Sequence, residues 1–164
     1  MDIVICSGVG TGDTTLAAFD NALQEAGIHN FNLIKLSSII PPKAKLTEQK
    51  FAPDQDNFGN KLYVVMAEER TDLLGRSIAA GIGWYQWGDG RGVFAEQHDI
   101  VEALDAKEAE GNVYKKLKTT VLNLCQFRDI PFEEINFQTK ISATEVKAKP
   151  ACVLVAAVYQ SEPW

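Results

Sequence analysis

Apolar and polar positions change their period several times along the chain. Residues 2–6 form a short β-branched run that predicts a strand, and Gly8, Gly10 and Gly12 read as the turn that ends it. Leu16, Phe19, Leu23 and Ala26 then recur at helical spacing, with Asp13, Thr14 or Thr15 as N-cap and Gly27 as the stop. Residues 31–36 predict a second strand, which runs into Ser37-Ser38-Ile39-Ile40-Pro41-Pro42, where Pro41 holds Ile40 extended. Pro, Asp, Asn, Gln and Lys gather over residues 41–60, which read as one long loop.

The second half is richer in regular structure. Residues 62–67 predict a buried strand, the Gly- and Ala-rich residues 73–83 a helix, and residues 92–98 another strand after a Gly88-Asp89-Gly90 turn. Val113, Leu117, Val121, Leu124 and Cys125 mark a long helix over residues 103–127. Residues 137–146 alternate and residues 151–159 are continuously apolar, so two strands close the chain. Interleaved helices and strands ending on two successive strands predict one α/β or α+β domain over residues 1–164. Its expected form is a layered sandwich of mixed or antiparallel sheet with flanking helices.

Composition narrows the function. Sixteen Lys and Arg against 22 Asp and Glu give a net charge of −6, which argues against nucleic-acid binding and suits a cationic small molecule better. Cys6, Cys125 and Cys152 are odd in number and never in C-x-x-C spacing, and His29 and His98 stand alone, so neither a disulfide framework nor a metal site is expected. The beginning of the sequence shows no basic, cleavable segment and the longest apolar run is too short to span a bilayer; the expectation is a cytoplasmic chain with no membrane partner. The run Gly8 to Thr15 (GVGTGDTT) could form an anion-binding turn. It lacks the Lys of a phosphate-binding loop, however, and Asp13 would repel phosphate. A tight turn capped by Asp13 or Thr14 is the simpler reading, with its amides open to a ligand carboxylate.

The most specific segment is Asn32-Leu-Ile-Lys-Leu-Ser37-Ser38-Ile-Ile-Pro41-Pro42, in which two hydroxyls close an apolar strand before a rigid exit. Together with Leu16-Ala-Ala-Phe19-Asp20-Asn-Ala-Leu23-Gln-Glu-Ala-Gly27-Ile28 it resembles the self-cleavage region of the pyruvoyl-dependent arginine decarboxylases. The likeness continues more loosely into Gly92-Val-Phe-Ala-Glu96 and Val153-Leu-Val-Ala-Ala-Val-Tyr159.

That resemblance implies cleavage between Ser37 and Ser38 into residues 1–37 and 38–164, with Ser38 becoming a covalent pyruvoyl group, the cofactor of the reaction. It implies that L-arginine is converted to agmatine and carbon dioxide, the setting being polyamine synthesis or acid resistance. Asn32 then assists cleavage, Glu96 returns a proton to the substrate α-carbon, and Asp20 grips the guanidinium as a bidentate acceptor. A homotrimer of cleaved protomers, with sites at subunit boundaries, is also implied. On spacing alone, Asn32 is a strand residue bonding a neighbour, Glu96 an exposed strand-end carboxylate and Asp20 an exposed helical one. Two rival readings stay open: pyruvoyl chemistry on another amino acid such as histidine, and an unprocessed small-molecule binding subunit.

Overall fold

The computed structural model describes residues 1–53 and 55–164; Asp54, within the expected loop, lies outside the described residues. Two sheets stack face to face. The first has the strand order β2-β5-β9-β1-β4, built from β1 (Asp2–Thr11), β2 (Asn32–Lys35), β4 (Lys45–Glu48), β5 (Lys61–Thr71) and β9 (Ala151–Glu162). The second has the order β3-β7-β6-β8, from β3 (Ile39–Ile40), β6 (Arg76–Trp87), β7 (Arg91–Val101) and β8 (Gln138–Val146). Helices α1 (Thr15–Ala26) and α2 (Ala106–Gln126) cover the two outer faces.

The alternation along β9 builds these layers. Val153, Val155 and Ala157 point between the sheets, where they meet Ile78, Ile82, Trp84 and Phe94 of the second sheet. Cys152, Leu154, Ala156 and Val158 point the other way, under Ala18, Ala22 and Leu23 of α1. On the second sheet, Val93 and Ala95 of β7 pack beneath Val113, Leu117 and Val121 of α2, the stripe expected of that helix. A layered sandwich with flanking helices is therefore the fold. The first sheet is mixed, since β1–β4 and β2–β5 are parallel pairs while β1–β9 and β5–β9 are antiparallel.

Three expectations are corrected. Gly8 and Gly10 do not end β1 but lie inside it, because α1 rests directly on the strand there. A Cβ on Gly8 would fall 2.0 Å from the Ala22 carbonyl oxygen, and one on Gly10 2.2 Å from that of Ala18. The run Gly8 to Thr15 is thus a strand leading into a capped helix start, with the Thr14 hydroxyl accepting from the Ala17 N–H, and not an anion-binding turn. Residues 73–83 form no helix. They lead into β6, whose small residues sit beneath neighbours: a Cβ on Gly83 would meet Phe137 and Leu117 at 3.0–3.3 Å. Finally, the expected loop over residues 41–60 contains β4, which pairs in parallel with β1 over Asp2 to Ile5.

Beyond Ile5 the outer edge of β1 has no strand partner among the described residues, and α1 takes over. Glu25 Oε2 accepts from the Val9 N–H at 2.6 Å and Asn21 Oδ1 from the Thr11 N–H at 3.1 Å. Side chains one helical turn apart thereby satisfy alternate edge amides. The cysteines are all buried, as small apolar core residues; burial pushes the Cys6 and Cys152 thiols up to about 12.

Candidate active site

Chain direction creates the site. Strand β2 belongs to the first sheet and β3 to the second, so residues 36–38 cross from one sheet to the other. The Leu36 N–H still donates to the Val64 carbonyl of β5 at 2.8 Å, whereas the Ser38 carbonyl already accepts from the Phe94 N–H of β7 at 2.8 Å. Changing sheets within two residues demands a sharp bend, and Ser38 supplies it with φ of 64°. That left-handed backbone is unfavourable for a residue with a Cβ, by about 1–2 kcal/mol. Pro41 follows β3 and keeps Ile40 extended, as the sequence predicts; the exit itself is a turn, in which the Pro41 carbonyl accepts from the Ala44 N–H at 3.3 Å.

Glu96 meets the crossover from β7. Odd-numbered residues of that strand face α2: Val93 and Ala95 pack under it, Gln97 bonds Thr120 and Asp99 bonds Asn112 and Lys116. Even-numbered Phe94 and Glu96 consequently face the inter-sheet layer. There the Ser38 hydroxyl donates to Glu96 Oε1 at 2.5 Å, in a half-buried position. Ser37, one residue earlier, is exposed.

Tyr159 is the residue that sequence reasoning missed. It sits near the end of β9, donates its phenol to the Ile39 carbonyl at 2.8 Å and packs edge-on against Phe94 with ring centroids 6.3 Å apart. Burial, with the Glu96 carboxylate second, holds its phenol above the usual tyrosine range. In the sequence it shows as a tyrosine closing an otherwise apolar strand, at the end of the loose likeness over Val153–Tyr159, and neither signal gives it a role. Farther along β7, His98 hydrogen-bonds Glu69 of β5, linking the sheets beyond Glu96.

Asp20 and Asn32 are not brought to Ser38 within one chain. Asp20 lies on the exposed side of α1, which covers the outer face of the first sheet. Its neighbour Phe19 carries the Arg70 guanidinium 4.7 Å above the ring. Asn32 opens β2, at the opposite end of that strand from the crossover, and its Nδ2 donates to the Gly59 carbonyl at 2.6 Å. Among the described residues, then, Ser38 and Glu96 form the chemical pair.

The groups present suit a pyruvoyl function at position 38. A hydroxyl in contact with a carboxylate, a strained backbone and an exposed preceding peptide are what conversion of a serine needs, and the Ser38 carbonyl already has a hydrogen-bond donor.

Comparison with known proteins agrees with this geometry. Residues 2–163 match the family described as "Pyruvoyl-dependent arginine decarboxylase (PvlArgDC)". A protein of Halobacterium salinarum named pyruvoyl-dependent arginine decarboxylase is 32% identical over 161 residues, covering 98% of this chain and 96% of its own length. Proteins of the same name from Thermoplasma volcanium and Picrophilus torridus are 34% and 39% identical, over 74% and 47% of this chain and 66% and 42% of their own. With the bent, carboxylate-paired serine in place and nearly every residue matched, the chain belongs to the pyruvoyl-dependent arginine decarboxylase family.

Proposed function

We propose that this protein cleaves itself between Ser37 and Ser38 and then decarboxylates L-arginine to agmatine. The observation that carries the reading is the left-handed Ser38 with its hydroxyl on Glu96. For cleavage, Glu96 takes the hydroxyl proton as Ser38 Oγ attacks the Ser37 carbonyl carbon. The amide C–N bond breaks, an ester replaces it and the nitrogen of residue 38 leaves as an amine. Loss of the residue 38 α-proton then expels the Ser37 carboxylate, leaving dehydroalanine. Its imine tautomer takes up water and releases ammonia, which leaves the pyruvoyl ketone. Ser37 is exposed, so the new carboxylate can withdraw into water. Relief of the bend at residue 38 favours the cleaved state.

Once formed, the pyruvoyl group supplies a ketone for the substrate amine and an adjacent carbonyl that accepts the electrons freed with carbon dioxide. That adjacent carbonyl is the one held by the Phe94 N–H at 2.8 Å, a fixed donor where negative charge develops. Glu96, beside the same residue, is the group that returns a proton to the substrate α-carbon. Asp20 is the proposed guanidinium acceptor and Asn32 the proposed aid to cleavage. Because both lie away from Ser38 of their own chain, they serve a neighbouring protomer's site, in keeping with a homotrimer whose sites fall at subunit boundaries. The net charge of −6 favours a cationic substrate, and a cytoplasmic setting fits the three reduced cysteines.

Product analysis tests the substrate. The protein is incubated separately with arginine, ornithine, lysine and histidine, and amine products are separated by mass. Agmatine from arginine, with no more than traces of the other amines, is the expected result; histamine as the principal product would transfer the chemistry to the rival substrate.

A further inference from the structure

The hydrogen bond from Tyr159 to Ile39 stands outside the residues assigned so far, and three features make it more than packing. First, it lies at a bulge. In the β5–β9 ladder Tyr63 opposes Gln160 and Val64 opposes Val158, so Tyr159 is the extra residue with no cross-strand partner. Tyr159 keeps the inter-sheet side set by Val155 and Ala157, and the bulge leaves it out of the β5–β9 pairing. Second, the group it bonds is on an open edge. β3 is the edge of the second sheet; the Ser38 carbonyl just before it turns to β7 and the next carbonyl, that of Ile39, turns away from β7. The phenol fills that otherwise strandless position at 2.8 Å. Third, the ring is braced edge-on against Phe94, the residue whose N–H holds the Ser38 carbonyl.

We propose that the Tyr159 hydroxyl is a positioning group for residue 38. By fixing the Ile39 carbonyl on one side while Phe94 fixes the Ser38 carbonyl on the other, it holds Ile39, the residue that anchors the chain just after Ser38. With Ile39 free to shift, residue 38 could relax out of its left-handed backbone and carry its side chain away from Glu96. The phenol transfers no proton and forms no covalent bond. Its effect falls on the geometry of the cleavage step and, afterwards, on the orientation of the carbonyl that accepts electrons. This inference rests on the self-cleavage reading given above.

The test is a time course of chain cleavage, followed by denaturing mass measurement, for wild type, Tyr159→Phe and Tyr159→Leu, with the thermal midpoint of each. Tyr159→Phe keeps the ring against Phe94 and removes only the donor. Its expected behaviour is cleavage slowed about tenfold, a midpoint within a few degrees of wild type, and, once processed, a lowered kcat with KM for arginine unchanged within twofold. Tyr159→Leu, which loses ring and hydroxyl together, should cleave no faster than the phenylalanine variant. Cleavage and kcat at wild-type levels in Tyr159→Phe would overturn the proposal and leave Tyr159 a packing residue, with self-cleavage itself intact. A leucine variant that cleaves at the wild-type rate would overturn it equally. A wild-type chain that never cleaves would remove both this inference and the reading beneath it.

Discussion

In the proposed reaction one serine carries the chemistry, and its neighbours explain how. Ser38 has a backbone that an L-residue enters reluctantly, a hydroxyl given to a carboxylate and a carbonyl given to a backbone amide. A carboxylate 2.5 Å from the hydroxyl is placed to accept its proton, and Glu96→Gln keeps size and shape while removing that capacity. Cleavage in the glutamine variant should slow by about a hundredfold or more, the usual scale of general-base assistance. A time course on denaturing gels reads this directly, and a variant that cleaves at the wild-type rate would leave Glu96 without the proposed part. At this scale the sequence is legible only in part. The Ser37-Ser38 pair and Glu96 are visible through resemblance, and the structure joins Ser38 to Glu96 across 58 positions of chain. Tyr159 is not visible, because its meaning comes from a bulge and an edge carbonyl that exist only once β9 and β3 have found their sheets.

Elements with an unambiguous period are read correctly from sequence, and the failures share a cause. Helix α1 begins at its Thr14 cap and stops at Gly27, whose φ of 86° is the left-handed cap that glycine supplies. Helix α2 buries Val113, Leu117, Val121 and Cys125 at i, i+4 spacing as expected. The glycine-bearing second half of β1 and most of β6 are misread as turn and helix, because small residues that serve close approach between layers look like breakers or helix formers when the opposing layer is unknown. Gly8 gives the sharpest check of that explanation. A methyl group there would strike the Ala22 carbonyl and lift α1 from β1, so Gly8→Ala should cost about 1–3 kcal/mol or more and lower Tm by several degrees. An unchanged midpoint in a thermal melt would mean that α1 does not rest on this strand. The parallel strand β4 escapes sequence reading for another reason: it is four residues long, mostly exposed and held by its pairing with β1.

For the molecule as a whole, the two-sheet architecture and the proposed self-cleavage are compatible. Residues 1–37 contribute β1, α1 and β2, and β1 lies between β9 and β4 while β2 pairs with β5. A break at the crossover would therefore leave both pieces woven into one sheet. No helix among the described residues is long and apolar enough to cross a membrane. Because pieces so interleaved would stay associated, native size alone would not report the break, and the decisive measurement is an intact mass under denaturing conditions for wild type beside Ser38→Ala. Self-cleavage gives two wild-type fragments, residues 1–37 and 38–164, the second without a free amino group, and leaves a single 18.1 kDa chain for the alanine variant. A wild-type protein that remains one chain of that mass after prolonged incubation would contradict it.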